Sequence, residues 1–390
     1  MIDFSLPDEV RALKARVRQF VDAQVIPAEA QLTADPTCLE ALRARLQVAA
    51  RAAGVFAPRV PRQWGGLGLD WRAGAIVFEE AGRSLLGPQA MNCAAPDEGN
   101  MHLLHAVATA AQQARYLRPL AAGELRSCFA MTEPEPGAGS DPRMLQTAAR
   151  RAGDGWVIDG HKRFISGAQG AAFAVVVART DAGATLFLVD ADNPGWRITR
   201  SPATLDHTFP GGHCEVMLDA CAVPADAVLG TVGRGFEHAQ LRLAGGRLTH
   251  CMRWLGIAGR AVDVAADYVR ARHSFGKPLS VHQQVQRLIA ECHIELHACR
   301  TMVWHAAWCL DQGQDARHET SMVKAFAAEA LGRVVDRCLQ LCGASGISED
   351  LPLASFYREM RGFRIYDGAT EVHLAAVGIR ALREPLPGTP

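Results

Sequence analysis

The chain has 390 residues, 49% of them hydrophobic, and 41 Lys and Arg balance 41 Asp and Glu to a formal net charge of +0. That length predicts two or three domains with sizeable cores. Without a basic patch it does not read as an electrostatic nucleic-acid binder or as a polybasic membrane anchor, and no apolar stretch is long enough to span a bilayer. The start, Met1-Ile2-Asp3-Phe4-Ser5-Leu6-Pro7-Asp8-Glu9, lacks the basic residues and apolar run of a signal peptide. The 11 cysteines are scattered, with no Cys-x-x-Cys pair. They read as small buried hydrophobes in a reducing compartment, and a cytoplasmic location is expected.

From about Pro7 to Leu120 the pattern is helical. Val10, Leu13, Val17, Phe20 and Val21 keep helical spacing, and Pro27 is expected to break or bend that element. The stretch Pro58 to Gly68 is a loop by its Pro and Gly content. Helices are expected again over Trp71 to Gly87 and Met101 to Leu120. Near Ser127 the pattern changes to short β-type runs: Trp156-Ile158, Phe173-Ala178, Leu186-Val189 and Glu215-Leu218. Asp154-Gly155, Asp159-Gly160 and Asn193-Pro194-Gly195 read as turns between them. No long helical pattern separates the runs, so a mostly antiparallel sheet or barrel is expected. From about Gly235 to Leu382 long amphipathic helices return and suggest a bundle. Their apolar faces run through Trp254, Leu255, Ala258, Ala261, Val262, Ala265 and Val269, through Val285, Leu288, Ile289, Cys292 and Leu296, and through Phe326, Ala330, Val334, Cys338 and Leu341. The tail 384–390 is expected to be loose.

Familiar nucleotide loops are missing: there is no Gly-x-Gly-x-x-Gly between strand and helix and no Walker loop. His293 and His297 lie one helical turn apart, but no third ligand accompanies them and no metal is expected; His102 and His105 read the same way. Two stretches carry more chemistry. Cys128 to Asp141 runs from aromatic and apolar residues through Thr132 into a Gly-rich turn, whose amides can meet anionic or carbonyl oxygens. Arg361 to His373 places a single carboxylate, Asp367, before Gly368 and a new helical pattern. Asp367 there is either a helix cap or a base beside a ligand that the glycine lets come close.

Taken together, Thr132-Glu133-Pro134 with Gly137-Ala138-Gly139-Ser140-Asp141, then Lys162-Arg163-Phe164-Ile165-Ser166-Gly167, Arg272-His273-Ser274-Phe275-Gly276-Lys277-Pro278, His282-Gln283, Gln340 to Gly346 and Ile365-Tyr366-Asp367-Gly368 resemble the acyl-CoA dehydrogenase family. The motifs follow the family's order from about Asp8 to Arg380. Ala94 to Met101, Gly233 to Gln240, His250-Cys251-Met252-Arg253 and Asp367-Gly368-x-x-Glu371-Val372-His373 are similar to the branch of family members ten and eleven. In that branch an Asp stands where most of the family has Glu.

The resemblance implies an α+β, mostly α fold. It has an N-terminal helical domain (1–125), a middle β-barrel-like domain (126–234) and a C-terminal four-helix bundle (235–390). It also implies FAD as cofactor, an acyl-CoA substrate, an electron-transferring flavoprotein as acceptor, and a homotetramer or at least a homodimer. The reaction would be α,β-desaturation. Asp367 falls at the base position, with Glu371 as the alternative base; the other place the family uses, just before Arg247, is Gly246. Gly368 would offer its amide to the thioester. Phe129, Met131, Thr132, Phe164 and Ser166 would line the isoalloxazine. Arg272, Ser274, Phe275, Gln340, Gly343 and Ala344 would hold the cofactor of a neighbouring subunit. Ala369 replaces a common Thr, leaving Thr370 and Glu371 to contact cofactor. Ser140 and Arg247 match positions facing CoA, and Ser140 is also placed with the cofactor. The extra Glu135-Pro136 lengthens the loop before Ser140. The resemblance also allows a flavin oxidase on the same fold, such as a nitroalkane-oxidase-like enzyme, or a non-catalytic relative that only binds CoA or FAD.

Overall fold

The computed structural model describes residues 4–32, 36–206, 208–209 and 211–383, so the tail expected to be loose lies outside the described residues. The chain forms two compact units, one from Met1–Ala30, Leu69–Pro88 and Arg247–Pro390, the other from Gln31–Gly68 and Gln89–Gly246. The helices are α1 (Asp8–Phe20), α2 (Pro36–Ala52), α3 (Trp71–Ala81), α4 (Gly87–Ala90), α5 (Asp97–Val107), α6 (Ala110–Gln112), α7 (Arg118–Ala121), α8 (Gly235–Ala271), α9 (Gln283–Asp311), α10 (Arg317–Cys342), α11 (Ala344–Ile347), α12 (Leu353–Arg361) and α13 (Thr370–Ala381). Among the described residues, no helix is long and apolar enough to cross a membrane.

In the first unit, α1 buries Leu13, Val17 and Phe20, the residues its spacing set on one face. Asp8 and Glu9 fill its first turn, where negative charge suits the exposed amides. As expected, the helical path changes at Pro27, where a π turn over Val21–Val25 gives way to a 3₁₀ turn over Pro27–Gln31. Helix α3 packs on both α1 and α9. Its start is capped twice. Asp70 accepts from the Ala73 amide, and Asp311 at the end of α9 accepts from the amides of Trp71 and Arg72 at 2.8 and 2.9 Å. Helix amides that would otherwise lack partners are thereby bonded. Helices α9, α12 and α13 all pack on α10, completing the helical C-terminal part.

The second unit holds the sheet. Its strands are β1 (Ser127–Ala130), β2 (Ala148–Ala152), β3 (Gly155–Ser166), β4 (Phe173–Thr180), β5 (Gly183–Asp190), β6 (Trp196–Arg200), β7 (His213–Val223) and β8 (Val228–Leu229). They pair in the order β6-β7-β3-β2-β4-β5-β8, with β1 alongside β4. The pairs are antiparallel except β1 with β4 and β2 with β4, as expected of short strands without long crossover helices. The core includes Ile158, Val176, Phe187, Val189, Val216 and Leu218.

Two local expectations change. Asp159-Gly160 is not a turn but a bulge inside β3. Asp159 accepts from the Ala220 amide across the pair, and a side chain at Gly160 would strike Thr147. The single helix expected over Met101 to Leu120 is broken at Ala108, where the backbone turns extended and Thr109 and Gln112 build a reciprocal capping box for a new start.

Helices α3 and α8 meet backbone to backbone. A Cβ on Gly256 would run into the Glu79 carbonyl, and one on Gly82 into the Arg253 carbonyl. An ordinary helical Gly→Ala gains up to about 1 kcal/mol. Here the obstruction is main chain and cannot swing aside, so Gly256→Ala is expected to lose about 1–3 kcal/mol by overpacking. The check is thermal unfolding of the holoprotein, with the variant melting lower.

Candidate active site

Asp367 sits between a 3₁₀ turn (Gly362–Arg364) and α13. The N-cap of α13 is Ala369, so Asp367 is not its cap. Its backbone is left-handed, φ 52°, which is costly for a non-glycine residue and persists only where neighbours enforce it. Three side chains enforce it. Arg247 Nε donates to the Asp367 carbonyl at 2.8 Å, and His373 Nε2 lies 3.2 Å from the same oxygen. Lys324 Nζ donates to the carbonyls of Phe363 (2.7 Å) and Gly368 (3.1 Å). Lys324 is wholly buried, and burial lowers its pKa. Gly368 has φ +100°, and a Cβ there would come within 2.6 Å of His373 Nε2, so only glycine fits. Burial, then Arg247, pull the His373 imidazole down to about 4. It is therefore neutral at pH 7 and donates one N–H. The Asp367 carboxylate Oδ2 lies 3.1 Å from His250 Nε2, and both side chains are mostly buried.

Around this turn, Trp254 Nε1 donates to the Tyr366 hydroxyl at 2.5 Å, and the His250, Phe363 and Tyr366 rings pack together. Thr370 is buried with its hydroxyl on Glu329, which also takes a two-pronged grip from Arg364. Glu371 is exposed. The bundle's other expected site residues lie at its surface. Arg272 is exposed, and Ser274 leads into a two-strand hairpin, β9 (His273–Ser274) and β10 (Lys277–Pro278). Phe275 at the hairpin tip is 92% exposed at φ 55°. Gln340, Gly343 and Ala344 are exposed where α10 gives way to α11.

In the other unit, the Thr132 hydroxyl donates to the Arg163 carbonyl at 2.6 Å, and the Arg163 amide returns a bond to Thr132. Beneath them lies a buried ion pair, Glu133 with Lys162 at 2.9 Å. Lys162 also donates to the Met131 carbonyl, and Glu133 accepts from the amides of Ala138, Gln146 and Thr147. Burial pushes the Glu133 carboxyl up, but Lys162 and these bonds outweigh it and hold it at about 2. Burial pulls Lys162 down to about 8 in spite of Glu133, so both stay charged at neutral pH. Glu135 and Pro136 protrude while the Glu133 amide bonds the Ala138 carbonyl, and Ser140 is exposed.

Phe164 stands half-exposed at φ 57°, where the β3–β7 register shifts. Ser166 Oγ lies 2.7 Å from His213 Nδ1, and His213 Nε2 lies 2.7 Å from Asp206 Oδ2. Burial raises the Asp206 carboxyl, but the bond from His213 overrides it and holds it at about 2. Phe129 is covered by the Arg242 guanidinium, 4.1 Å from its ring centre. Arg242 is bonded to Asn100, and Asn100 and Asp97 both bond Ser127 at the head of β1. The Ala94 to Met101 motif thus braces the strand that carries Phe129.

Family models match nearly the whole chain: the acyl-CoA dehydrogenase N-terminal domain over residues 7–124, the middle domain over 128–221 and the C-terminal domain over 233–382. The chain belongs to the acyl-CoA dehydrogenase family. It is 38% identical to FadE2 of Mycobacterium tuberculosis, itself attributed to the acyl-CoA dehydrogenases, over 96% of both chains. It is 34% identical to acyl-CoA dehydrogenase family member 11 of Homo sapiens, covering 95% of this chain and 50% of that one. Members ten and eleven, the branch its motifs resemble, are thus among its relatives. A structure from Mycobacterium abscessus attributed to an acyl-CoA dehydrogenase matches with a TM-score of 0.90 and 34% identity over 97% of this chain and 99% of that one. A glutaryl-CoA dehydrogenase from Mycobacterium smegmatis, solved in complex with FADH2, matches with a TM-score of 0.86 and 25% identity over 97% and 96%.

The residues of this acyl-CoA dehydrogenase fit a flavin. An isoalloxazine needs apolar faces and a few polar atoms at its edge. Phe129, Met131 and half-exposed Phe164 are of the first kind, and the Thr132 and Ser166 hydroxyls of the second. Among the described residues no His, Cys, Asp and Glu cluster could hold a metal. Lys324, His250, His373, Asp206 and His213 were not singled out from sequence. Only the His250 and His373 motifs gave a signal, and that signal carried no role.

Glu133→Gln is expected to lower the unfolding midpoint by the equivalent of about 3–5 kcal/mol, because it leaves Lys162 buried and without its counter-charge. The carboxylate contribution is full above the ordinary Glu value of 4.5 and fades as pH falls through about 2. The gap between wild type and variant should therefore close on acidification, as measured by thermal unfolding from pH 7 down.

Proposed function

We propose that this chain is an FAD-dependent dehydrogenase that introduces a double bond between the α and β carbons of an acyl-CoA thioester, with Asp367 as the base. The observation that carries the reading is the Asp367-Gly368 turn, a strained carboxylate beside an obligate glycine, held by Arg247, Lys324 and His373. Strain of this kind is retained where it serves a function.

When bound, FAD supplies the acceptor for the β-hydrogen as hydride, chemistry that belongs to the cofactor. The chain's residues do the rest. Asp367 takes the α-proton. The Gly368 amide donates to the thioester oxygen, where negative charge grows as that proton leaves. Arg247 fixes the turn, and Arg247 and Ser140 are the residues assigned to CoA. Phe129, Met131, Thr132, Phe164 and Ser166 line the flavin ring. Arg272, Ser274, Phe275, Gln340, Gly343 and Ala344 complete the cofactor grip of a second copy in a cytoplasmic homotetramer, with Ala369, Thr370 and Glu371 beside the cofactor. The exposure of Arg272, Phe275, Gln340, Gly343 and Ala344 in the single chain supports that assignment. Electrons then leave to an electron-transferring flavoprotein. An oxidase on the same fold would also use an Asp base; rapid oxygen consumption without an added acceptor would favour it.

Asp367→Asn is expected to keep FAD and bind acyl-CoA, but to slow anaerobic flavin bleaching by at least about 10²–10⁴-fold, the usual worth of a general base. Bleaching at the wild-type rate would remove Asp367 from the role. Arg272→Ala should be purified with less FAD per chain and a smaller assembly, read by absorbance ratio and light scattering. Unchanged FAD content would overturn the cross-subunit assignment.

A further inference from the structure

The Asp367 carboxylate has a partner whose protonation the geometry dictates. His250 Nε2 lies 3.1 Å from Asp367 Oδ2. Its other nitrogen, Nδ1, lies 3.1 Å from an amino nitrogen of Arg253, about one turn on along α8. A guanidinium can only donate. Nδ1 must therefore accept and carry no proton, so the proton of the neutral ring sits on Nε2 and points at Asp367. The charged or titratable groups around the pair include Arg247 and Arg253 on α8, Lys324 on α10, Tyr366 on the turn before Asp367 and His373 on α13. A second proton on His250 would face Arg253 directly. Burial first, then Arg253, pull the imidazole down to about 4. The partner of Asp367 at neutral pH is a neutral donor, not an imidazolium ion.

We propose that His250 is the positioning residue of the Asp367 base, its Nε2–H fixing one carboxylate oxygen while Arg253 fixes the His250 tautomer. This rests on the reading of Asp367 as base. The backbone of Asp367 is already pinned through its carbonyl. Pinning Oδ2 as well sets the plane of the carboxylate and hence the direction of its other oxygen. The His250 ring is itself packed by Tyr366, 4.8 Å between centroids, and by Phe363 at 6.2 Å. No proton passes through His250: the substrate proton moves to Asp367, and Nε2–H goes on donating. A hydrogen bond to the ionised form of a carboxylate favours that form, so loss of the Nε2–H bond is expected to move the acid limb.

The test uses the holoenzyme. In solid-state ¹⁵N spectra of histidine-labelled protein from pH 6 to 9, with His250 identified by its loss in His250→Gln, Nε2 should be protonated and Nδ1 bare throughout. A doubly protonated ring, or a proton on Nδ1, overturns the proposal without reference to activity. In anaerobic bleaching with butyryl-, isobutyryl- and octanoyl-CoA, His250→Phe should shift the acid limb of the rate profile upward by about one pH unit, a roughly tenfold loss below it. His250→Gln, whose amide can donate from a similar place, should retain the wild-type limb. An unshifted limb in His250→Phe, or an equal shift in both variants, overturns the proposal. Asp367→Asn, run alongside, separates the two readings: if it bleaches normally, the base assignment fails; if it is inactive while His250→Phe keeps the wild-type profile, only the positioning role fails.

Discussion

The turn that carries Asp367 depends on a buried lysine. Lys324, on α10, is wholly enclosed and donates to the carbonyls of Phe363 and Gly368, either side of the aspartate. A buried lysine is costly unless it is hydrogen-bonded or paired. Here its bonds go to main chain, so the cost of burying it offsets a conformational problem. A left-handed non-glycine residue costs about 1–3 kcal/mol and would relax if the flanking peptides could rotate. With both peptides held by one rigid helix, and the central one by Arg247 and His373, they cannot.

The sheet unit meets the same problem in the same way. Lys162 is also buried, and it donates to the Met131 carbonyl as well as to Glu133. Glu133 in turn collects three amides from the Gly-rich turn and the approach to β2. Phe129, Met131 and Thr132 thus lie on backbone fixed from behind by a charged pair, which lets the two extra loop residues bulge outward without moving the strand end. In both units a buried lysine holds the backbone that carries the candidate site residues. Several of their side chains are held as well, Thr132 on the Arg163 carbonyl and Ser166 through His213 on Asp206.

Much of this could be read in the sequence. Uninterrupted apolar runs gave β4 and β5, and helical spacing gave the buried face of α8. The grouped motifs pointed to the family and to Asp367. What escaped were contacts across long separations. Lys324 looks like any solvated lysine in a helix until α10 packs on the loop some forty residues further on. His213 and Ser166 lie 47 positions apart and meet only because β7 pairs with β3. Asp159-Gly160 carries turn chemistry, yet Thr147 beside it needs a glycine in the middle of a strand. Local pattern registers what a residue can do. Which of those capacities is used depends on what the fold brings next to it.

The aspartate itself is the clearest case. As a variant of the family's usual Glu it reads as a shortened base, a loss of one methylene of reach. The structure supplies a reason for that length. Oδ2 meets His250 Nε2 at 3.1 Å from a backbone already fixed at its carbonyl. A side chain one carbon longer, starting from the same pinned Cα, would have to fold back to meet a ring that Arg253, Phe363 and Tyr366 hold still. Asp367 and His250 are matched in length, and neither can be understood by comparing one position at a time. A short side chain with few rotamers also loses less freedom on being fixed. The arrangement exchanges reach for a carboxylate whose direction is set before any substrate arrives.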